Sequence, residues 1–510
     1  MSKGVFRSHN KVEETLSFQI MADSAIYFTP KVGKSIGRVS WDVGLGGGYI
    51  AGNVLAYSYP LSASGTQKTV TVRTNLLSTL NSISFEKLNI LGHLDLSGLS
   101  NLFSNPTYAE VNLSDNGGLT GVTHTYTPYV NNAYLIENSN LMGTLDLRPL
   151  GDMGGEVIVN NNPNLTRILF SGGTGGFDKL YIHNNDLVDC DLSGFQNFTQ
   201  AFWISDNFNL TGMTFNTGTS ITTTSSFFAA ELSSYVGTLD LTGLKLYSKF
   251  SITGTPCVKI LHGFYNGSWI YYDAYRCNLT GNHDLSMFPT LGGVISLGKN
   301  PSLTGVTHTG STALTTNYRI NQANLIGNLD VSMLKLSGIF DCSVNPNLTS
   351  ITHGNTSSVF SEYGAHNCNL GPTLVVSGLT GLGGQFDIHD NPNLSSVHLP
   401  YSTETFSEFD MYGCNFSGSS INFMPLSGIT TEPSGAHINV QNNNFTAAAV
   451  NQQLRNFGNT IQYNTAGWSG VTLNISGTNS APDSTSGGVN GISALSFLTG
   501  SPNNWIVTTS

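Results

Sequence analysis

The sequence predicts a mainly β fold: a solenoid whose stacked coils share one parallel sheet, preceded by a small β-sandwich-like domain. Three observations carry that expectation. A short phrase recurs, as NPNLTRILF from Asn162, NPSLTGVTHTG from Asn300, NPNLTSITHG from Asn345 and NPNLSSVHL from Asn391. Apolar residues stand five and three places before these asparagines, as Val157 and Val159, Ile295 and Leu297, Phe340 and Cys342, and Phe386 and Ile388; residues two apart share one face of a strand. The composition, with 57 Gly, 27 Phe, 20 Tyr, 39% hydrophobic and 10% charged residues, suits strands and turns, since disordered chains are poor in aromatic and β-branched residues.

Two kinds of coil alternate. The corner residue of the first is Asn116, Asn162, Asn207, Thr255, Asn300, Asn345 and Asn391; that of the second is Leu88, Ser139, Asn185, Ser233, Cys277, Ala323, Cys368 and Cys414. A final coil sets Ile438 and Val440 before Asn443. The alternation gives about 16 coils of about 23 residues, none able to bury its apolar edge alone, so that stacking builds one continuous core. The corner asparagine is expected to hydrogen-bond backbone groups that the turn leaves unpaired. After the second corner come GHLDLSGL, GTLDLRPL, GTLDLTGL and GNLDVSML, whose alternation predicts a further strand on the side or back of the coil. The chain divides into an N-terminal arm (1–14), a β-domain (15–79), the solenoid (80–445) and a C-terminal cap (446–510). In the cap, VNQQLRNF reads as one or two helical turns, VTLNISG as a strand, GISALSFLTG as a short helix and WIVTTS as a closing strand.

The pattern LxLxx(N/C)xL at this period resembles the leucine-rich repeat, which implies a right-handed solenoid. Residues 15–79 resemble a PKD-like β-sandwich, on GRVSWDVG, NVLAYSYP and GTQKTVTVRT. Trp41-Asp42-Val43-Gly44 and Tyr57-Ser58-Tyr59 stand for that family's WDxG and HTY positions, with Gly44-Leu45-Gly46 in place of GDG. This domain order resembles surface proteins of Bacteroidetes and structural proteins of their phages. The resemblance implies a structural or adhesive virion protein, tail- or capsid-associated, presenting a solenoid surface for host or glycan recognition. The alternatives are a bacterial cell-surface adhesin or a purely structural interaction scaffold.

The net charge of −11, from 20 basic and 31 acidic residues, argues against nucleic-acid binding, which needs a basic stripe. No apolar run approaches the ~18 residues that span a membrane, and no apolar segment near the N-terminus predicts a secretory signal. P-loop, GxSxG and HExxH motifs are absent, so neither catalysis nor a cofactor is expected. The six cysteines are expected unpaired and mostly buried. His124, His308 and His353 share a slot with Phe170, Phe215 and Leu399, which marks a packing position rather than a metal site. The sequons at Asn164, Asn209, Asn278 and Asn347 fall mostly at coil corners and are expected to carry no glycan. Candidate ligand-binding residues are those the register puts on the outer sheet face: Tyr181, His183, Trp203, Asp206, Asp273, Tyr275, Arg319, His366, Asp387, His389, Asp410 and Tyr412. Aromatic rings beside polar groups suit a host protein or glycan. The N-terminal region, with Lys3, Arg7, Lys11, Glu13 and Glu14 on its arm, is expected to join other proteins of a larger assembly.

Overall fold

The computed structural model describes residues 14–510 except 25–26, 35–38, 54, 75–79, 100–109, 125–128, 131–132, 154, 172, 217–222, 243, 264–267, 289, 309, 311–312, 355–358, 401–405, 418–420, 422–435 and 464–468. Nearly all of the expected arm lies outside these residues. The chain forms two compact units, Met1–Tyr247 with Leu261–Gly263, and Ser248–Ile260 with Phe264–Ser510.

The second unit is a β-solenoid. Residues 248–251 and the strands Ser268–Asp273, Thr290–Ser296, Leu314–Arg319, Lys335–Asp341, Val359–Gly364, Gly381–Asp387, Phe406–Asp410, His437–Asn439, Thr472–Asn474 and Ile506–Thr508 pair in parallel, each with the next. The register aligns the inward residues of successive coils, so aromatic rings stack into a spine. Tyr318–Phe340, Phe340–Tyr363 and Tyr363–Phe386 have centroids 5.7, 5.0 and 5.2 Å apart, within the range of favourable ring pairs.

The expected side strands are present as two-stranded parallel pairs. Thr280–Asp284 pairs with Ser302–Thr307, Gly327–Asp330 with Leu348–Thr352, and Thr373–Val375 with Ser396–His398. The G-x-(L/H)-D phrase now has a physical meaning. Gly281 and Gly327 sit at register shifts with φ of 68° and 76°, a left-handed conformation that costs glycine least. The aspartate then ends the strand, because Asp284 and Asp330 accept the backbone N–H two residues on, from Ser286 and Ser332.

Each corner combines a left-handed residue with a buried anchor. The left-handed residues Asp115, Asn138, Asn161, Asn184, Arg276, Lys299, Asn367 and Asp390 immediately precede anchors assigned from sequence. One assignment shifts: Glu231 is left-handed and Leu232 is fully buried, so Leu232, not Ser233, is that coil's anchor. The anchor amides bond as expected. Asn116 donates to Phe85 O and Leu113 O and accepts from Leu88 N and Ile90 N. Cysteine anchors make one of the same bonds, Cys277, Cys368 and Cys414 donating Sγ–H to Ile252 O, Cys342 O and Ile388 O of the preceding coil. All six cysteines are buried and unpaired. Sequon asparagines Asn164, Asn209 and Asn347 instead bond outward, to Asn140, Asp186 and Asn324 of the coil before.

The C-terminal residues continue the ladder past 445. Two helices, α1 (Ala447–Tyr463) and α2 (Gly491–Thr499), each fall between ladder strands; α1 is far longer than the one or two turns expected. Asn479 is a further anchor, donating to Val440 O and Ile475 O and accepting from Asn443 N and Phe445 N.

The first unit carries the parallel strands Leu80–Ser84, Glu110–Asn112, Ala133–Leu135, Gly155–Ile158, Gly173–Tyr181, Phe195–Trp203 and Thr223–Phe228. Its N-terminal residues join both sheets of the first coils rather than standing apart. Lys31–Lys34 pairs antiparallel with Leu80–Ser84, and Glu14–Met21 lies between Gln67–Thr74 and Ile90–Leu96. Phe18 and Trp41 pack on Phe85 at 4.9 and 6.2 Å. The residues that carried the PKD-like pattern serve this cap: Trp41 Nε1 donates to Gly52 O, and the Tyr59 hydroxyl donates to Val43 O.

Candidate functional site

The histidine slot is an interior feature. Nε2 of His124, His308 and His353 lies 2.8, 2.9 and 2.9 Å from the hydroxyls of Tyr134, Tyr318 and Tyr363. His283, where sister coils carry Leu, pairs likewise with Tyr272 at 2.7 Å. Burial holds all four imidazoles at a pKa of about 4, in the neutral form. Each tyrosine hydroxyl thus meets a buried partner, which is what a polar group inside an apolar core requires. The tyrosine half of this pairing reads in sequence as one more inward apolar residue.

The outer face of the ladder is organised in rows, because residues two apart on each strand point the same way and successive coils lie in register. In the first unit, one row runs Asn112, Leu135, Ile158, Tyr181, Trp203, Phe228. His183 stacks on Trp203 with centroids 4.2 Å apart, and Tyr181 meets Trp203 edge-on at 5.8 Å. Tyr181, His183 and Trp203 therefore form one aromatic cluster. Asp206 does not join it: it occupies the left-handed corner, with Glu231 as its charged neighbour.

The corresponding row of the second unit is polar: Asp273, Ser296, Arg319, Asp341, Gly364, Asp387, Asp410, Asn439. Beside it, two residues past the ends of these strands, lie Tyr275, Gly298, Asn321, Ser343, His366, His389 and Tyr412. The rings of His366, His389 and Tyr412 stack in sequence at 4.4 and 4.5 Å, nearly parallel at 9° and 11°. Asp410 stands against Asp387, and burial followed by that neighbour's charge pushes its carboxyl up to about 6.

Two shallow grooves open on this face. Asp273, Tyr275, Ser296, Arg319 and Asn321 line one of about 260 Å³. Asp341, Glu362, Gln385, His366 and Asp387 line part of a smaller one, opened by Gly364. Asp273 is less open than its place in the alternation suggests. It is 9% exposed, and its carboxylate accepts from the hydroxyls of Thr253 and Tyr271 and from Tyr275 N. In the first groove Arg319 Nε and Asn321 Oδ1 are buried without a hydrogen-bond partner. Sequence reading missed Ser296, Asn321, Asp341, Glu362 and Gln385; the strand alternation that selected Arg319 would have found Ser296 and Asp341.

Among the described residues no helix is long and apolar enough to cross a membrane. The chain matches no protein-family model, no curated protein and no solved structure.

Proposed function

We propose that the chain is a non-enzymatic recognition solenoid of the leucine-rich-repeat type, right-handed, whose polar sheet face binds a saccharide. The observation that carries this reading is the groove at Tyr275, Arg319 and Asn321. There an aromatic ring stands beside polar atoms, two of them buried and unbonded. A sugar supplies what such a groove lacks: hydroxyls that both donate and accept, and an apolar ring face to lie against tyrosine. A buried polar atom without a partner costs about 1–3 kcal/mol, so a side-chain shift that turns Arg319 Nε or Asn321 Oδ1 to meet a hydroxyl in the groove is favoured.

The setting we propose is a phage virion, with the N-terminal region meeting other proteins of the particle and the sheet face turned to a host glycan or surface protein. This rests on the resemblance of the domain order. The groove reading is tested with the intact chain on a saccharide array, followed by calorimetry with the best ligand. Tyr275→Ala and Arg319→Met are each expected to weaken binding tenfold or more, while His437→Ala leaves it unchanged. Binding to no saccharide, or binding indifferent to both variants, would overturn the proposal.

A further inference from the structure

A third group on the same face has the makings of a metal site. Asp387 ends its strand and His389 follows two residues on, its ring turned back onto the Asp387 carboxylate. His366 sits on the preceding coil, beside His389. One donor atom from each lies within 4.8 Å of the others. His389 Nδ1 is 2.5 Å from Asp387 Oδ1, and His366 Nε2 is 4.0 Å from Asp387 Oδ2. The carboxylate therefore faces one nitrogen of each of the two stacked imidazoles. We infer that His366, Asp387 and His389 bind a divalent transition cation of the zinc type, independently of any saccharide.

The surroundings of the two rings support this. A metal-binding histidine holds its second nitrogen in a hydrogen bond that fixes the tautomer. Here one side chain serves both: Asn367 Nδ2 lies 2.9 Å from His366 Nδ1 and 3.2 Å from His389 Nε2. With the amide in that orientation it donates to both rings, and each ring keeps its remaining N–H toward Asp387. A half-turn of the Asn367 amide exchanges its nitrogen and oxygen. Its oxygen then accepts from His366 Nδ1–H and His389 Nε2–H. Both lone pairs, on His366 Nε2 and His389 Nδ1, are released toward the carboxylate. One amide rotation thus converts a proton-bridged cluster into a donor set.

A further oxygen is at hand. Asp410 pairs in register with Asp387, and its Oδ1 is buried with no hydrogen-bond partner. Two imidazoles and one carboxylate suit zinc, nickel or cobalt better than calcium or magnesium, which prefer oxygen throughout. Bonds of about 2.1 Å in tetrahedral geometry set donors about 3.4 Å apart, so the widest pair closes by up to about 1.4 Å while His389 Nδ1 and Asp387 Oδ1 move apart by about an ångström.

The test uses the full chain without a polyhistidine tag, dialysed against chelator. Cobalt(II) is titrated while its visible absorption is followed, and zinc stoichiometry is read by equilibrium dialysis. One equivalent is expected, released by chelator. Asp387→Asn and His366→Gln each weaken binding tenfold or more, Asn367→Ala weakens it about tenfold, and His183→Ala changes nothing. His366 and Asp387 lie on different coils, so either variant alone decides the matter should the other fail to fold. No stoichiometric ion in the intact chain, or unchanged affinity in a folded Asp387→Asn or His366→Gln variant, overturns the assignment. No saccharide is present, so the outcome is separate from the groove reading.

Discussion

Asn300 shows how much one side chain does in this fold. It is fully buried, donates to Ala274 O, Leu297 O and Gly298 O, and accepts from Leu279 N. Replacing it by alanine strands several buried backbone groups, each worth about 1–3 kcal/mol when unpaired. Asn300→Ala is therefore expected to destabilise the protein by about 3 kcal/mol. Asn300→Cys should cost clearly less, because Cys277, Cys368 and Cys414 bond to the preceding coil from the same position. Urea unfolding of the two variants checks this, and equal losses would refute the equivalence. The histidine slot allows a second test. His353→Phe removes the partner of the buried Tyr363 hydroxyl and should cost about 1–3 kcal/mol. His353→Phe with Tyr363→Phe should recover much of that loss, since Phe–apolar pairs fill the slot in sister coils.

At the scale of the coil, the His–Tyr pairs make stability depend on pH. The four imidazoles titrate near 6.5 when unfolded and near 4 when folded. Between those values the unfolded chain binds more protons, so stability is complete above about pH 6.5 and falls as pH drops toward 4. Each buried imidazole makes the stability at pH 4 lower than at pH 7 by on the order of 3 kcal/mol. Asp410 has the opposite sign: its raised pKa favours the folded state as pH falls from about 6 toward 4, but one half-exposed carboxyl does not offset four buried rings. A urea midpoint markedly lower at pH 5 than at pH 7 is expected, and a flat profile would sink the argument. These pairs also mark the limit of what the sequence discloses. The corners are legible because each repeats a residue with one geometric task, and Asn116 through Asn391 stand where the pattern puts them. Tyr363 is not legible as half of a polar pair, because its slot reads as apolar and its partner lies ten residues upstream. Asp273 reads as exposed from strand alternation alone, yet Thr253 and Tyr271 close over its carboxylate. Asn479 escapes because it follows Ile475 by four residues rather than three.

The first unit carries the same lesson to the whole molecule. Antiparallel pairing of residues 14–74 with the first coils has no period, so nothing in the sequence announces it. Yet Lys31–Lys34 covers the edge of the ladder at Leu80–Ser84, and Phe18 and Trp41 cover Phe85. An uncovered solenoid end offers both unpaired backbone groups and open core. Deleting residues 1–79 should therefore do more than remove the proposed attachment region: the remainder is expected to self-associate and to unfold at lower urea. Light scattering after gel filtration reads the first effect directly. A monomeric remainder with an unchanged urea midpoint would mean that the N-terminal region is a free-standing module. On the proposed attachment through the N-terminal region, the surface the cap leaves outward is the candidate contact among the described residues; Leu61 is 82% exposed there and Tyr49 and Ile50 are 40% and 38% exposed. If the proposed virion setting holds, Leu61→Glu with Ile50→Lys is expected to abolish incorporation into the particle while leaving the urea midpoint and the monomeric state unchanged, a separation that loss of the cap cannot produce.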